Sequence, residues 1–439
     1  MRIAASAVVV VASLALAGPA MATKYPPAKD PPGVQKAPKG PHHTLRVGKH
    51  AKFKTIIAAV KAAKAGDTIR VAHGTYKGQV ELSGAAKRYI QIIGDVKHPN
   101  KVIVELKGQH GPAAQDGFFI QGADQVRVAG FQAQHYKGNG FFALNVKGYK
   151  FDHDAAKFGG TYGFYAFNSL GGVMTADVGA WNNDSGFYIG QTPPQTKPTR
   201  SIASNLKAYG NVIGWSGTNM RYTTISKSQF WNNGTGIVPN TLDSEKYAPP
   251  SDNVISGNDV FWNNFDYYKG APFPKKKTQV NGQIVVPYPV GVGILLFGGH
   301  DQTVTDNNIY GNWLGGYAGI QAITLKEAAL QTLVGNQVTN NKFGLNGTDL
   351  NGYDLYYDGD GSDNCFGGNV GVTTTMPTNG STFAACPFAG ANAFDSSTQQ
   401  TGFGWALATD HEAGFQQHPH AAKPGYTPLV VWTKGRGDK

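Results

Sequence analysis

The chain has 439 residues and a formal net charge of +11, with 41% hydrophobic and 15% charged residues. Residues 1–54 contain nine basic side chains and one acidic side chain, a net charge of +8, so the rest of the chain carries only +3. Because the basic excess is concentrated at one end, the body gives no reason to expect a nucleic-acid-binding groove.

The first 22 residues have the features of a secretory signal peptide. Arg2 supplies the positive charge, an apolar stretch runs to Ala17, and Ala20-Met21-Ala22 is a small-x-small cleavage site. The apolar stretch is too short to span a membrane, and no second candidate follows. We therefore expect a secreted, soluble protein. Residues 23–43 are rich in Pro and Lys and are predicted to form an extended, solvated linker.

A Gly followed by a large apolar residue recurs along most of the chain. The first five copies are 23, 23, 28 and 22 residues apart, and the pattern returns after one long interruption. A repeat of this length is typical of a solenoid and is too short for a βαβ unit, which needs about 30 residues. The copies are Gly140-Phe141, Gly163-Phe164, Gly186-Phe187, Gly214-Trp215, Gly236-Ile237, Gly293-Ile294, Gly319-Ile320 and Gly344-Leu345.

Small polar residues form a column on each side of the repeated Gly. Such residues favour corners and stack in ladders, and the short runs of Val, Ile, Phe and Tyr between them predict strands. The sequence therefore predicts an all-β fold, a right-handed parallel β-helix with three strands and three corners per coil. One column contains Asp154, Asp177, Asn205, Ser228, Asn258, Asn308 and Asn336; the other contains Asn145, Asn168, Gln191, Asn219 and then Asn240 or Thr241.

Residues 53–64, ahead of the repeat, have helical spacing, and Gly66 stands where a helix C-cap is expected. A Gly-Asp-Thr-Ile run, a strand and Gly74-Thr75-Tyr76 follow. This order resembles the opening of many proteins of the pectate-lyase-like superfamily, and the resemblance extends over residues 44–366. It implies an α-helix that caps the first coil, which is also expected physically because an open solenoid end exposes apolar strand residues.

Three irregular segments interrupt the repeat, at residues 191–200, 242–252 and 265–289. Loops of this length are usually functional, and all three are predicted to leave the coil after the Gly-apolar strand and to wall one groove. Aromatic side chains beside the lysines at 275–277 suit a carbohydrate with carboxylates; alternatively, they fold back on the coil as a lid. The predicted substrate-binding residues are Tyr188, Gln191, Trp215, Asn219, Asn240, Tyr267 and Tyr268.

Asp152-His153-Asp154 is similar to the Asp-His-Asp site of alginate epimerases in this superfamily, and it makes His153 a candidate catalytic residue. The Pro that precedes the His in that site is absent, however, and a position in the first polar column already explains Asp154.

No catalytic signature with fixed spacing is present, so the other candidates come from chemistry. β-Elimination in a polyuronide requires a base for the C5 proton and a cation opposite the carboxylate, and superfamily lyases commonly use Lys or Arg. A hydrolase would instead need two carboxylates about 5–9.5 Å apart. Alternatively, these loop charges are only solvated. The candidates are Arg221, Lys246, Asp243, Glu245 and His300.

Asp358, Asp360 and Asp363 lie in an Asp/Gly-rich run that looks like a calcium loop. The run lacks the bidentate Glu of an EF-hand, and such runs also form ordinary turns, so calcium is a candidate cofactor only. Cys365 and Cys386, the only cysteines, are expected to form a disulfide. The disulfide would pin the irregular segment at residues 367–385. Residues 367–439 are predicted to form an irregular C-terminal region, of which 394–405 or 429–432 are expected to pack as a cap.

Two functions are consistent with these features. The first is a secreted protein, expected to be a monomer, that modifies an acidic polysaccharide by elimination or epimerisation. The superfamily resemblance and the aromatic loops favour this function. The second is a non-catalytic adhesin or surface-binding solenoid. The near-neutral body, the basic linker and the lack of a clear catalytic set favour that alternative.

Overall fold

The structure, a computed structural model, describes residues 29, 34–265, 267, 279–280, 283–284, 288–323, 327–345, 347 and 349–407. The predicted signal peptide, most of residues 23–33, Tyr268, the lysines at 275–277 and residues 429–432 lie outside these ranges. Within them, no helix is both long enough and apolar enough to cross a membrane.

The chain forms a right-handed parallel β-helix, which confirms the predicted fold. Each coil adds one short strand to each of three parallel sheets. Sheet 1 consists of β1 (Thr44–Val47), β2 (Thr68–Val71), β5 (Gln91–Ile93), β8 (Val126–Ala129), β11 (Tyr149–Asp152), β14 (Val173–Thr175), β17 (Ser201–Ser204), β20 (Thr223–Ser226), β23 (Val254–Ser256), β29 (Thr303–Thr305), β33 (Gln337–Thr339) and β36 (Cys365–Gly367).

Sheets 2 and 3 complete each coil. Sheet 2 consists of β3 (Gly74–Lys77), β6 (Val102–Glu105), β9 (Gln132–Gln134), β12 (Ala155–Lys157), β15 (Val178–Ala180), β18 (Lys207–Tyr209), β21 (Gln229–Trp231), β24 (Asp259–Phe261), β30 (Asn308–Tyr310) and β34 (Lys342–Phe343). Sheet 3 consists of β4 (Val80–Ser83), β7 (Phe118–Gln121), β10 (Phe141–Leu144), β13 (Phe164–Phe167), β16 (Ser185–Gly190), β19 (Ile213–Thr218), β22 (Thr235–Asn240), β27 (Val292–Phe297), β31 (Gly315–Ile320), β35 (Tyr353–Tyr357) and β37 (Thr375–Met376).

Shorter elements lie outside these sheets. They are the strand pairs β25 (Gln279–Val280) with β26 (Gln283–Ile284) and β28 (Gly299–His300) with β32 (Leu333–Val334), the helices α1 (Ile56–Ala62) and α2 (Ser396–Leu407), and the 3₁₀ turns Ala85–Lys87, Pro99–Lys101, Gly111–Ala114 and Ala328–Leu330.

The first six Gly-apolar pairs, from Gly140-Phe141 to Gly293-Ile294, lie where the chain enters sheet 3, whereas Gly319-Ile320 ends β31 and Gly344-Leu345 follows β34. Phe141 and Phe164 stack inside the coil with ring centroids 4.7 Å apart. The Gly before each ring is required by close backbone approach, since a Cβ on Gly140 would lie 2.6 Å from the carbonyl oxygen of Gly163. The repeat therefore reflects packing between successive coils.

Ladders of polar side chains line all three corners, one more than was predicted. Between sheets 1 and 2, Asp154, Asp177, Ser228 and Asn258 stack as expected. The ladder continues through Asn307 and Asn341, however, and not through Asn308 and Asn336. Asn308 is the first residue of β30, one place after the ladder position that Asn307 occupies.

Other corner residues also differ from the predicted columns. Asn205 has a left-handed backbone with φ 56° beside the ladder, and Asn336 belongs to a ladder between sheets 3 and 1 with Asn364. The corner between sheets 2 and 3 holds a buried ladder that was not predicted. Its members are Asn182, Asn211, Asn233, Asn263, Asn312 and Asn351.

The N-terminal end of the solenoid is capped as predicted. The Thr55 side chain accepts a hydrogen bond from the Ala58 N–H and begins α1, which packs on β1, β2 and β4. Part of the linker lies against the coils, because the Gln35 N–H donates to Oε1 of Gln125.

The Cys365–Cys386 disulfide is present, in agreement with the prediction. Sheet 3 continues past the predicted boundary at residue 366, because β37 pairs with β35. Helix α2 covers the outer face of sheet 3, where the rings of Trp405 and Tyr356 are 4.6 Å apart.

Candidate functional site

Insertions flank sheet 3 on both edges and make its outer face the floor of a cleft. Residues 191–200, 242–252 and 321–332 follow strands of sheet 3. The long segment at 265–289 comes before the sheet 3 strand β27, and not after a sheet 3 strand as predicted. Described residues on both edges, Leu242 after a sheet 3 strand and Phe265 and Tyr288 before one, pack on the apolar cluster at the outer face of sheet 3.

The outward-facing residues of sheet 3 change from accessible to buried along the solenoid. We call the residues in register with Tyr188 the outer row. In this row Phe119, Phe142 and Tyr165 are half-buried, whereas Tyr188 is 3% exposed and the members from Ser216 to Tyr356 are equally covered. The row runs Phe119, Phe142, Tyr165, Tyr188, Ser216, Val238, Leu295, Ala318 and Tyr356.

The accessible part of the outer row is aromatic. The ring centroids of Phe119 and Phe142 are 5.3 Å apart, and those of Phe142 and Tyr165 are 4.4 Å apart with parallel planes. Tyr188 then stands edge-on to Tyr165 at 4.9 Å. We call these four residues the aromatic floor. A continuous apolar strip with a phenol at one end suits the mixed apolar and hydroxylated faces of a sugar.

Glu245 lies where the aromatic floor ends. Its Oε1 accepts a hydrogen bond from the Tyr188 hydroxyl, while its Oε2 is buried without a hydrogen-bond partner in the protein. Gly190 makes room for it, since a Cβ there would lie 2.7 Å from Oε2. Burial raises the pKa of Glu245 to about 7, against the opposing effect of the Tyr188 hydrogen bond. A carboxyl that gains and loses its proton near neutral pH suits acid–base catalysis.

Further tyrosines surround Glu245. The ring of Tyr162 is 4.6 Å from that of Tyr188, and the Tyr288 hydroxyl accepts a hydrogen bond from the Asn240 side chain. Burial, together with the carboxylates of Asp184 and Glu245, raises the pKa of both Tyr162 and Tyr288. These phenols therefore stay protonated at neutral pH and act as hydrogen-bond donors.

Three side chains from sheet 3 and its edge fix the loop that carries Glu245. Asn219 donates through Nδ2 to the carbonyl oxygens of Leu242, at 2.9 Å, and Glu245, at 2.7 Å. The side chain of Gln191 accepts from the Lys246 N–H, and Arg221 donates to the Tyr247 carbonyl. The loop that carries Glu245 is therefore held by several hydrogen bonds to its backbone, part-buried at Asn219 and exposed at Gln191 and Arg221.

The predicted catalytic residues do not all meet. Arg221 and His300 lie on nearby coils at the corner after sheet 3. The backbone of Ser251 lies between them and forms a parallel β-bridge to each. Burial, and next to it the Arg221 charge, lower the pKa of His300 to about 4. Asp243 and Lys246 are exposed on the surface of the loop. Of this set, only Glu245 turns towards the aromatic floor.

His153 lies away from the cleft, at the corner between sheets 1 and 2. Its Nδ1 is 3.4 Å from Oδ1 of Asp152, whose other partners are Arg127 and Lys150. Asp154 is a buried ladder residue, as its register indicated. The Asp-His-Asp motif therefore contributes nothing to the site around Glu245.

The described members of the predicted substrate-binding set separate into four groups. Gln191 is half-buried at the cleft, and Tyr188 borders it. Asn219 and Asn240 are fully buried and hold the walls. Trp215 lies inside the coil against Phe187, so its position does not fit substrate contact. Tyr267 is 2% exposed and packs over sheet 3, as the lid alternative expected.

The three aspartates of the predicted calcium loop bond to different partners. Asp358 accepts from the Gln321 N–H, Asp363 accepts from the Gly390 N–H, and Oδ2 of Asp360 is buried without a hydrogen-bond partner. Across the described part of the chain, no group of three His, Cys, Asp or Glu residues could hold a metal ion. The donor set therefore does not fit a shared calcium ion.

The sequence-based prediction missed most of the aromatic floor, although a signal was present. In four successive repeats the residue two places after the Gly is aromatic: Phe119, Phe142, Tyr165 and Tyr188. Because alternate strand residues face opposite sides, an aromatic pair after each Gly places one ring inside and one outside.

No family model matches the chain, and no curated protein matches it in sequence. Several solved structures resemble it. The A-module of the mannuronan C-5 epimerase AlgE4 from Azotobacter vinelandii has 14% identity and a TM-score of 0.47, covering 73% of this chain and 89% of that one. The pectate lyase Pel9A has 14% identity and a TM-score of 0.38, covering 80% and 82%. A rhamnogalacturonan lyase has 14% identity and a TM-score of 0.40, covering 68% and 87%.

Proposed function

We propose that this protein binds and chemically modifies an acidic polysaccharide, with Glu245 as the group that transfers the proton. One observation carries the proposal: a half-buried carboxyl, with one oxygen that has no protein partner, stands at the end of the aromatic floor. The floor supplies sugar contacts, and the carboxyl supplies the acid–base group.

The proposed reaction starts at C5 of a uronate residue. The ionised Glu245 takes the C5 proton. In elimination, the C4–O4 bond then breaks, a C4=C5 double bond forms, and O4 receives a proton from a protonated phenol such as that of Tyr188. In epimerisation, C5 instead takes a proton from solvent on the opposite face, and Glu245 releases the abstracted proton to solvent. The protonated phenol of Tyr162, half-buried beside Tyr188, is the proposed hydrogen-bond donor to the substrate carboxylate.

Glycoside hydrolysis is a second candidate, favoured by Asp184. The charges of Asp184 and Glu245 both raise the pKa of Tyr162 and of Tyr288, so the two carboxylates flank the same phenols. Two such groups are the usual requirement for acid-catalysed cleavage of a glycosidic bond.

A panel of polyuronides distinguishes these reactions. Elimination gives unsaturated products that absorb near 235 nm, epimerisation in D₂O introduces deuterium at C5, and hydrolysis gives new reducing ends without absorbance. We expect Glu245→Gln to lower the rate at least about 100-fold. Glu327→Gln, an exposed Glu in another insertion, is the matched control and should keep full activity.

Two results would contradict the proposal. One is full activity of the Glu245→Gln variant. The other is glycan binding without any conversion across the panel, which would favour the non-catalytic adhesin. Removal of residues 23–43 should then reduce binding to glycans or cells.

We also propose that the protein acts outside the cytoplasm. The Cys365–Cys386 disulfide supports this location, because disulfides persist in oxidising compartments. A fusion of residues 1–22 to a reporter should be exported and cleaved after Ala22, and a reporter that stays in the cytoplasm would contradict the proposal.

A further inference from the structure

The cleft over sheet 3 is open on one side of Glu245 and closed on the other. On β7, β10 and β13 every second residue is half-buried or exposed. From β16 through β31, every residue of each sheet 3 strand is buried. The change occurs within one strand spacing, at Tyr188, which is the residue bonded to Glu245.

The closed side is filled by a second apolar cluster outside the coil. Val238, Leu295 and Ala318 of the outer row belong to it, and Leu242 and Tyr288 from the insertions and Trp313 from the corner before β31 pack on it. The side chains of Phe403 and Trp405 in α2 cover the far end. A packed apolar layer leaves no groove for a solvated polymer to continue past Glu245.

The open side has a defined length. Neighbouring strands are about 4.8 Å apart, so three strand spacings, or about 15 Å, separate Phe119 from Tyr188. One strand spacing is close to the length of one pyranose residue. The floor therefore accommodates a short run of sugars on the open side of Glu245.

Building on the proposed function, we infer that the site acts at the end of the polysaccharide chain and not at internal residues. The chain lies on the aromatic floor with its terminal residues at Glu245, and the cluster under Tyr288 and Leu242 stops it there. An internal residue would require the polymer to extend into the space that this cluster fills.

Oligosaccharides of defined length test the inference. Oligomers of the polymer converted in the panel, labelled at one end, are incubated with the full chain, and the modified residue is located by mass spectrometry. We expect modification at a fixed distance from one chain end from the earliest times. Modification spread over internal residues would overturn chain-end action while leaving the proposed function intact. Absence of any conversion in the panel would contradict the proposed function itself.

Floor variants provide a second measurement. Phe142→Ser should lower kcat/KM for six-residue oligomers about tenfold, with little effect on two-residue oligomers, because only longer chains reach that ring. Tyr209→Ser, which removes a half-buried ring on the outer face of sheet 2, is the control. It should change kcat/KM to the same extent for six-residue and two-residue oligomers. An equal loss on short and long oligomers with Phe142→Ser would contradict the proposed direction of the chain.

Discussion

Tyr188 on β16 donates its phenolic hydrogen bond to Oε1 of Glu245, 57 residues later in the chain. The bond favours the ionised carboxylate, while burial favours the neutral acid. These opposing effects leave the pKa of Glu245 at about 7. This pair therefore sets the pH at which the proposed catalytic group changes charge.

We expect Tyr188→Phe to shift the pH dependence of activity upwards. Loss of the hydrogen bond removes an interaction that lowers the pKa of Glu245, so the pKa rises above about 7 and a smaller fraction is ionised at neutral pH. The measurement is kcat/KM from pH 5 to 9, because its rising limb reports the pKa of the catalytic base in the free enzyme. A limb that stays in place or moves to lower pH would show that the bond does not set this pKa.

Asn219→Gly should loosen the loop that carries Glu245. Asn219 has φ 49°, which Gly tolerates, so the substitution removes the side-chain bonds to Leu242 and Glu245 without backbone strain. We expect faster amide hydrogen exchange across residues 242–250 and about tenfold lower activity, because unmade buried hydrogen bonds cost about 1–3 kcal/mol.

Asn145→Gly is the control for that experiment. Asn145 has a similar backbone with φ 56° but is exposed and lies on an earlier coil. Unchanged hydrogen exchange at residues 242–250 in both variants would show that Asn219 does not position the loop.

Asp177→Asn should stabilise the protein at neutral pH. Asp177 is fully buried against Asp154. Burial raises the pKa of both carboxyls, and neighbouring carboxylates raise each pKa further: Asp177 acts on Asp154, and Asp152 acts on Asp177. A raised pKa in the folded state adds stability below the unfolded pKa of about 4 that is lost as pH rises through the folded value. Asn at the equivalent position 258 instead donates Nδ2 to the Ile225 carbonyl.

The measurement is the melting temperature of wild type and Asp177→Asn at pH 4 and pH 8. We expect a gain at pH 8 that shrinks or disappears at pH 4, where the wild-type carboxyls are protonated. A gain of equal size at both pH values would mean that ionisation of this ladder does not limit stability.

The repeated Gly permits a paired test of coil packing. Gly140→Ala should lower the melting temperature, because the added Cβ would lie 2.6 Å from the Gly163 carbonyl oxygen. Gly404→Ala in α2 meets nothing within 4 Å and should raise stability by about 0.5–1 kcal/mol through helix propensity. Equal effects of the two substitutions would show that the close approach of the coils is not what requires Gly140.

The sequence alone determined the scaffold. A Gly-apolar pair at a period near 22 residues and the polar corners predicted the coil, because each coil obeys the same local packing. The same register correctly predicted that Asp154 lies in a ladder. The helical spacing of residues 53–64, at an open end of the solenoid, correctly predicted the capping helix α1. The predicted column was wrong for Asn308, which is one residue past the ladder position Asn307, and for Asn336, which lies at a different corner.

The candidate site depended on tertiary structure. Arg221, Asp243, Glu245, Lys246 and His300 are equally plausible acid–base or cationic groups in the sequence, but only Glu245 points to the aromatic floor. Its partners Tyr188, Gln191 and Asn219 come from earlier coils, and the loop between β22 and β23 folds back on them. Strand periodicity specifies which side of a sheet a residue faces; where an insertion folds back is decided by long-range contacts that no local pattern encodes.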